Sequence, residues 1–94
     1  MPVRKLKMTG AFKKAYLKFS KRNKVLKISI DKSISELAED AFASNLKTHK
    51  LSGNLYGLFA CSCGYDCRII FSIQKENSEE MILLIDIGTH EEIY

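Results

Sequence analysis

The sequence predicts an α+β domain in which an N-terminal strand and a helical hairpin precede a three-stranded antiparallel meander. The resulting four-stranded sheet has helices on one face. Two observations lead to this prediction. Apolar residues recur at helical spacing over residues 12–42, and they change to the alternating pattern of strands after residue 55. Ninety-four residues with 46% hydrophobic content suffice for one core, so residues 1–94 are expected to form a single domain.

The chain opens with a short strand and a first helix. Residues Val3 to Met8 can form the strand, and Thr9 is a favourable N-cap for the helix, which runs to about Ser20 or Arg22. The apolar positions of this helix fall at i, i+3, i+4 and i+7, and they are Phe12, Ala15, Tyr16 and Phe19. Lysines occupy the other side, so we expect the apolar stripe to face the core.

A second, longer helix follows a turn at Asn23 and is predicted to end near Ser44. Its early part, Val25 to Ile30, is rich in β-branched residues and has the weaker helical signal. Its core stripe at helical spacing is Ile30, Ile34, Leu37, Ala38, Ala41 and Phe42.

The second half of the chain has the pattern of a meander. A polar loop, Asn45 to Asn54, precedes it, a turn at Gly64-Tyr65 joins its first two strands, and a polar loop over residues 75–80 joins the last two. The three predicted strands are Leu55 to Cys63, Asp66 to Gln74 and Met81 to Ile87.

Alternation along these strands assigns each side chain to one face of the sheet. The core set is Phe59, Cys61, Cys63, Cys67, Ile69, Phe71, Ile73, Leu83, Ile85 and Ile87. Asp66 and Arg68 therefore share the open face. An exposed apolar strip is also expected there, formed by Leu58, Ile70, Ile82 and Leu84. Such a strip is typical of a partner surface, although an error in the assigned alternation would produce the same appearance.

Positive charge is concentrated at the N-terminus. Residues 1–27 contain ten Lys and Arg residues and no acid, whereas the remainder has five basic and eleven acidic residues. Such a block favours a polyanion-binding surface, most simply for nucleic acid, and a solvated lysine face is the alternative. The cations assigned to RNA binding, including two from the central loop, are Lys5, Lys7, Lys13, Lys14, Lys18, Lys21, Arg22, Lys47 and Lys50.

Several classes of protein are disfavoured. No run approaches the ~20 apolar residues that span a membrane, and the N-terminus lacks a secretory signal, so a cytoplasmic protein without a membrane partner is expected. Three cysteines in a chain with an ample core argue against a disulfide framework. Alternation sends all three to the core, without the paired spacing of a zinc knuckle, so no metal or cofactor is expected.

Three segments of the sequence occur in the same order and at similar spacing in a known protein family. They are the loop Leu-Lys-Thr-His-Lys-Leu-Ser-Gly at 46–53, the strand Gly-Tyr-Asp-Cys-Arg-Ile-Ile-Phe at 64–71, and the closing Asp-Ile-Gly-Thr-His-Glu-Glu-Ile-Tyr at 86–94. The chain resembles the RelE/ParE superfamily of toxins from prokaryotic toxin-antitoxin pairs, in particular its RelE and YafQ-like branch. The resemblance covers the full length. It implies a RelE-like fold and a ribosome-dependent mRNA endonuclease that a cognate antitoxin holds silent.

The resemblance also implies a set of catalytic residues. Arg68 falls on the family's strand arginine, His90 on the histidine after the final Gly-Thr, and Tyr94 on the C-terminal aromatic residue. His49 and Asp66 fall on a loop histidine and an acid used in YafQ-like members.

The chain departs from YafQ-like members at two positions. Ser62 and Cys67 stand where those members carry a second strand histidine and a tryptophan. Two alternatives therefore stay open: a ParE-like toxin that poisons DNA gyrase without cutting RNA, and a degenerate member that keeps only antitoxin binding.

The candidate residues suit metal-independent RNA cleavage. That reaction needs a base for the 2′-hydroxyl, an acid for the leaving 5′-oxygen and cationic donors for the phosphoryl oxygens. The two histidines can exchange protons near neutral pH, and Arg68 offers permanently charged planar donors to a phosphate. Each residue also has a plainer explanation, because Arg68 with Asp66 could be a surface ion pair and Tyr94 a packing residue.

Overall fold

The computed structural model describes residues 4–89. Its strands and helices, in chain order, are β1 (Lys5–Met8), α1 (Gly10–Arg22), α2 (Lys24–Glu39), β2 (His49–Lys50), β3 (Phe59–Gly64), β4 (Cys67–Glu76) and β5 (Glu79–Gly88). The strands form one five-stranded sheet in the order β1-β5-β4-β3-β2, in which β1 is parallel to β5 and the other pairs are antiparallel. The predicted α+β class and the order of elements are confirmed, and the sheet has one strand more than predicted.

The helical hairpin follows the capping signals of the sequence. Thr9 caps α1 as predicted: its Oγ1 accepts a hydrogen bond from the Phe12 amide at 3.0 Å and donates one to the Ile85 carbonyl at 2.7 Å. One side chain thus closes the first turn of α1 and ties it to β5. Asn23 caps α2 in the same way, accepting from the Leu26 amide at 3.1 Å. The β-branched segment after Asn23 is helical, as predicted.

Helix α2 ends at Glu39 and not near Ser44 as predicted. Asp40 leaves the helical conformation, with φ −155° and ψ 101°. Its carboxylate then accepts a hydrogen bond from the Phe42 amide at 3.0 Å, which stabilises a turn in place of a further helical turn. A short 3₁₀ helix, Ser44–Leu46, follows.

The additional strand comes from the central loop. β2 pairs with the start of β3, with His49 opposite Ala60 and Lys50 opposite Phe59. The chain then makes a 3₁₀ turn over Gly53–Leu55 before entering β3. For this reason β3 begins at Phe59, four residues later than the predicted start at Leu55.

Both hairpin turns differ in detail from the prediction. Asn77 and Ser78 both have positive φ (53° and 68°), so the predicted polar loop over residues 75–80 is a two-residue turn between longer strands. The turn between β3 and β4 lies at Tyr65-Asp66, one residue later than predicted. Asp66 has φ 53° and belongs to this turn, so it does not share a strand face with Arg68 as expected.

The predicted facing of residues is confirmed in β3 and β4, and in β5 only for Ile87. Ile82 and Leu84 lie in the core under the helices and not on the open face, whereas Leu83 and Ile85 do not belong to that core. The cause is a β-bulge, seen in two neighbouring pairs, Ile70 with Asp86 and Phe71 with Leu84. Ile85 is an extra residue between these pairs, and one extra residue reverses the facing of everything before it.

The predicted exposed apolar strip is therefore wrong. Two of its residues lie under the helices, and the other two take part in a second apolar cluster on the opposite face of the sheet. In that cluster the segment after β2 folds over buried Ala60 and Ile70, and its members are Leu51, Leu55, Leu58, Ala60, Ile70 and Ile85. Ser62 and Arg68 lie on the same face but are not part of this cluster, so the cluster does not cover that end of the face.

The core between helices and sheet contains all three cysteines, as the alternation predicted, but two of them are paired. Cys63 and Cys67 form a disulfide across the turn between β3 and β4, with Cα atoms 5.0 Å apart. The expectation of three unpaired cysteines is thus corrected. Cys67 pairs with Gly64, and the irregularity between Ser62 and Gly64 leaves Cys63 close enough to Cys67 for the bond. Neither of the two described helices is long and apolar enough to cross a membrane.

Candidate functional site

The site is built on one row of residues that crosses the sheet. Ser62 of β3 is opposite Arg68 of β4, and Arg68 is opposite Gly88 of β5. Residues directly opposite each other share a face, so Ser62 and Arg68 stand together on the side away from the helices. Lys47, which precedes β2 and has a left-handed backbone (φ 52°), lies beside them.

These residues line an open cleft of about 560 Å³. Its walls are Lys47, Ser62, Gly64, Tyr65, Asp66 and Arg68. Arg68 is half-buried, and its Nη1 donates a hydrogen bond to the Cys67 carbonyl at 2.8 Å. A guanidinium has five N–H donors, so this contact fixes the group while leaving donors for an anion.

The turn that forms one wall of the cleft is firmly held. The disulfide brackets it, and the Ser29 hydroxyl of α2 donates a hydrogen bond to the Cys63 carbonyl at 2.6 Å. Gly64 has φ 135°, and a Cβ there would lie 3.1 Å from Ser29 Oγ. Only glycine adopts this backbone conformation readily, so the sequence at the turn is constrained both by φ and by space.

His49 lies on the neighbouring row of the same face. It is exposed, stands opposite Ala60, and its Nδ1 is 3.2 Å from the Lys47 carbonyl oxygen. From ideal sheet spacings, the Cα atoms of His49 and Arg68 are roughly 12 Å apart. His49 and Arg68 are therefore on the same face of the sheet, but their backbones are too far apart to be in contact.

The N-terminal cations divide into two groups. Those of β1 and the residue before it pair with acids near the β4–β5 turn, at 2.8 Å for Arg4 with Glu80, 3.7 Å for Lys5 with Glu79 and 3.2 Å for Lys7 with Glu76. Within residues 4–89, no ion pair involves the α1 cations Lys13, Lys14, Lys18, Lys21 and Arg22. The positive charge open to a polyanion is therefore concentrated on α1.

Part of this free charge is close to the arginine row. Lys14 and Lys18, one turn apart on α1, line a groove whose other wall is Asp86 and Gly88 of β5. Since Gly88 also pairs with Arg68, the α1 lysines and the cleft flank the same end of the sheet. Lys50 of β2, by contrast, pairs with Phe59 and does not line the cleft.

The cysteines do not offer a metal site. Burial raises the pKa of the Cys61 thiol to about 12, and the positive charge of Arg68 only partly opposes that shift. The other two cysteines, Cys63 and Cys67, are joined in a disulfide. Over residues 4–89, no group of three or more His, Cys, Asp and Glu side chains is arranged to hold a metal ion.

The structure thus brings together only part of the predicted site. Arg68, Asp66 and Lys47 line one cleft, and His49 lies on the adjacent row. His90 and Tyr94 lie outside the described residues. Tyr65, predicted only as part of a turn, also lines the cleft, and its position in the turn just before the strand arginine was the signal for this.

Several solved structures with the same fold are toxins or toxin complexes. The YoeB/ParE toxin from Agrobacterium tumefaciens superposes with a TM-score of 0.78 at 20% identity, covering 92% of this chain and 98% of that one. YafQ from E. coli strain BL21(DE3) gives a TM-score of 0.78 at 15% identity, covering 97% and 98%. The E. coli DinJ–YafQ toxin–antitoxin complex gives 0.72 at 16% identity, covering 97% of each chain.

Sequence comparison identifies the family. Among curated proteins none matches this chain significantly. The model of the YafQ family, bacterial toxins of type II toxin-antitoxin systems, matches residues 4–94, which include the whole of the sheet and the arginine row. The chain therefore belongs to the YafQ family of bacterial type II toxins.

Proposed function

We propose that this chain is a cytoplasmic, ribosome-dependent mRNA endonuclease that inhibits translation without a metal or cofactor. The observation that carries the proposal is the position of Arg68. It lies in a cleft on the uncovered end of the sheet, beside Lys47, and its pairing partner Gly88 lines a groove with Lys14 and Lys18 of α1. Membership of a toxin family supports a role in growth arrest.

The reaction we propose is an internal transfer at one phosphodiester. A base removes the proton of the 2′-hydroxyl, and the 2′-oxygen attacks the adjacent phosphorus. The bond from phosphorus to the 5′-oxygen breaks, and an acid protonates that oxygen. The products are a 2′,3′-cyclic phosphate and a 5′-hydroxyl, and no water is consumed.

Arg68 has the geometry to stabilise the transition state of this reaction. Its hydrogen bond to the Cys67 carbonyl fixes the plane of the guanidinium at the cleft. Negative charge that develops on the phosphoryl oxygens would be stabilised by N–H donors that are already oriented and half-buried. Preorganised donors of this kind usually make the largest contribution to electrostatic catalysis.

The proton transfers are assigned to the two histidines. His90 follows Gly88 by two residues in sequence, and Gly88 is the backbone partner of Arg68, so we assign it the principal role. His49 is the second proton carrier. Asp66 lines the cleft and would orient a histidine, and Tyr94 would contact a base or donate a hydrogen bond.

Docking on ribosomal RNA is assigned to α1. Its lysines recur on one side of the helix and have no carboxylate partner among the described residues, whereas Lys5 and Lys7 are neutralised locally. We therefore shift the predicted basic surface away from β1 and towards Lys14, Lys18 and Lys21.

A cognate antitoxin is the second proposed partner. Two solved relatives of this fold are in complexes of this kind, DinJ–YafQ from E. coli and YoeB–YefM from Staphylococcus aureus. We propose that this chain also forms a complex with an antitoxin, which blocks the cleft or the α1 surface.

Transcript mapping tests the proposed activity. Ribosomes programmed with a defined mRNA are incubated with the purified chain, and primer extension locates any new 5′ ends. The expected result is discrete cuts within the ribosome-covered codons, with a cyclic phosphate on the upstream fragment. Intact transcripts together with inhibition of purified DNA gyrase would instead establish the ParE-like alternative. Intact transcripts with no growth arrest would establish a degenerate member.

A further inference from the structure

Among residues 4–89, Tyr56 and Tyr65 are the most exposed aromatic residues, and of the two only Tyr65 lines the cleft. Phe12 and Phe71 are fully buried, and the Phe59 and Phe71 rings stack in the core with centroids 5.6 Å apart. Tyr65, in contrast, is fully exposed to solvent at the tip of the turn between β3 and β4. An exposed ring contributes little to folding, so Tyr65 is available to contact a ligand in the cleft.

The turn holds the backbone of Tyr65 in place. Disulfide-bonded Cys63 and Cys67 bracket it, with Cα atoms 5.0 Å apart, and the Ser29 hydroxyl holds the Cys63 carbonyl at 2.6 Å. Gly64 and Asp66, on either side, both adopt positive φ. A ring mounted on a constrained turn loses little conformational entropy on binding, which favours its use as a contact surface.

The surroundings of Tyr65 indicate what it contacts. The residue lines the same cleft as Lys47 and Arg68, which carry two positive charges, and the hydroxyl residue Ser62. Cations beside an exposed aromatic ring are the combination by which proteins bind single-stranded nucleic acid, with charges on the phosphates and the ring on a base.

We propose that Tyr65 is a stacking platform for an unpaired RNA base whose neighbouring phosphate is bound by Arg68 and Lys47. The assignment rests on the proposed function in taking RNA as the ligand. Because every base presents a flat face, the platform contributes affinity and registers the strand in the cleft without selecting a sequence. It is a binding residue, and it takes no part in proton transfer.

The test combines changes in the protein and in the RNA. The probe is a short single-stranded oligomer with 2′-O-methyl groups, which prevent cleavage, and a second oligomer lacks one base. Affinity is measured by fluorescence anisotropy at low salt. For the intact oligomer, Tyr65→Ala is expected to weaken binding about 5- to 150-fold, the range of one lost base stack, whereas Tyr65→Phe retains it. Tyr56→Ala, at a residue that is 86% exposed but outside the cleft, is the matched control and should bind normally.

The missing base provides the decisive comparison. If Tyr65 stacks on a base, the wild-type chain should bind one of the oligomers that lack a base more weakly than it binds the intact oligomer. Tyr65→Ala should bind that oligomer and the intact one with equal affinity. The inference is overturned if Tyr65→Ala binds the intact oligomer as tightly as the wild type, if its loss is the same at every missing base, or if the wild type does not bind at all. Cleavage of ribosome-bound mRNA is measured separately. If the chain binds the oligomer through Tyr65 but does not cut mRNA, the proposed nuclease activity is wrong and the role of Tyr65 in RNA binding stands.

Discussion

The backbone of Arg68 pairs with that of Gly88, so the strand arginine stands next to the end of β5. Gly88 precedes His90 by two residues in sequence. The resemblance of both residues to family positions implies that they act together, and the proposed mechanism assigns them to one reaction. The account of function depends on this end of the sheet, where the covering apolar cluster stops and the cleft begins.

The two groups of N-terminal lysines should differ in their contribution to ribosome binding. Lys14→Ala with Lys18→Ala removes cations without carboxylate partners among residues 4–89, and it should lower the slope of log affinity against log salt by about 2, one for each lost phosphate contact. Lys5→Ala with Lys7→Ala removes the same formal charge from paired positions and should change the slope much less. Sedimentation with ribosomes over a salt series measures both. Equal slopes for the two double variants would contradict the assignment to α1.

The histidines should each be needed for cleavage. We expect His90→Ala to reduce the cleavage rate by about 10²- to 10⁴-fold, the usual contribution of a general acid or base, and His49→Ala to reduce it less. Growth of cells that express the chain without an antitoxin gives a direct readout, since both variants should relieve arrest. Circular dichroism confirms that each variant is folded. Full toxicity of folded His90→Ala would remove this residue from the proposed mechanism.

A hydrogen-bonded group that links α1 to α2 should make stability depend on pH at low pH. Lys27 Nζ and the Tyr16 hydroxyl donate to the Asp31 carboxylate at 2.8 and 2.6 Å, and these bonds lower the pKa of Asp31 from 3.8. A lowered pKa means that the carboxylate stabilises the fold above pH 3.8 and that this contribution is lost as the pH falls through the folded value.

Comparison with Asp31→Asn measures this contribution. The free energy of unfolding of the variant should lie below that of the wild type by less than about 1 kcal/mol near neutral pH, since the carboxylate is partly exposed, and the difference should narrow below pH 4. Glu39→Gln, which removes an exposed carboxylate from the same helix, is the control and should show no such narrowing. A difference that widens on acidification would contradict the assignment.

The three cysteines should be distinguishable by their reactivity. In the oxidised chain, Cys61 is buried with its pKa raised to about 12, so a thiol reagent should label no cysteine of the folded protein at neutral pH. Unfolding without reductant should expose one thiol, and reduction should expose three. Two reactive thiols in addition to Cys61 in the unreduced, unfolded chain would show that the disulfide is absent.

The disulfide should also stabilise the fold. The loop that it closes has a sequence separation of four residues. A short loop of this kind is worth roughly 2 kcal/mol in the chain-entropy model, so Cys63→Ala with Cys67→Ala should lower the free energy of unfolding by about that amount. Urea unfolding with and without reductant checks it, because reductant should destabilise the wild type and leave the double variant unchanged.

The sequence was most informative where local chemistry decides structure. Thr9 and Asn23 are caps whose side chains bond to the amide three residues on, and periodicity alone located the two helices that they begin. Alternation correctly sent Cys61, Cys63 and Cys67 to the core. Each of these predictions depends on residues close together in the chain.

Where the prediction was wrong, distant residues decide the outcome. The extra residue at Ile85 forms a bulge only because β5 pairs with β4, and no local pattern marks it. The cover of Leu51, Leu55 and Leu58 over Ile70 likewise depends on a loop folding back. The disulfide needs the register of two strands, which the number of cysteines does not reveal.

The structure brings some of the predicted site residues together and separates others. Arg68 and Lys47 do line one cleft, but Asp66 lies on the turn and not on the strand beside the arginine. Resemblance to a family supplied the candidate residues. The sheet register and the turn then determined which of them stand together.

The most direct test of the central claim is the single-turnover rate of mRNA cleavage on the ribosome for Arg68→Ala. Lys75→Ala, which removes one exposed cation from the same strand outside the cleft, is the matched control. If Arg68 stabilises the transition-state phosphate, its variant should cleave about 10²- to 10³-fold more slowly while binding ribosomes normally, and the control should cleave at the wild-type rate. Equal cleavage rates for folded Arg68→Ala and the wild type would contradict the account.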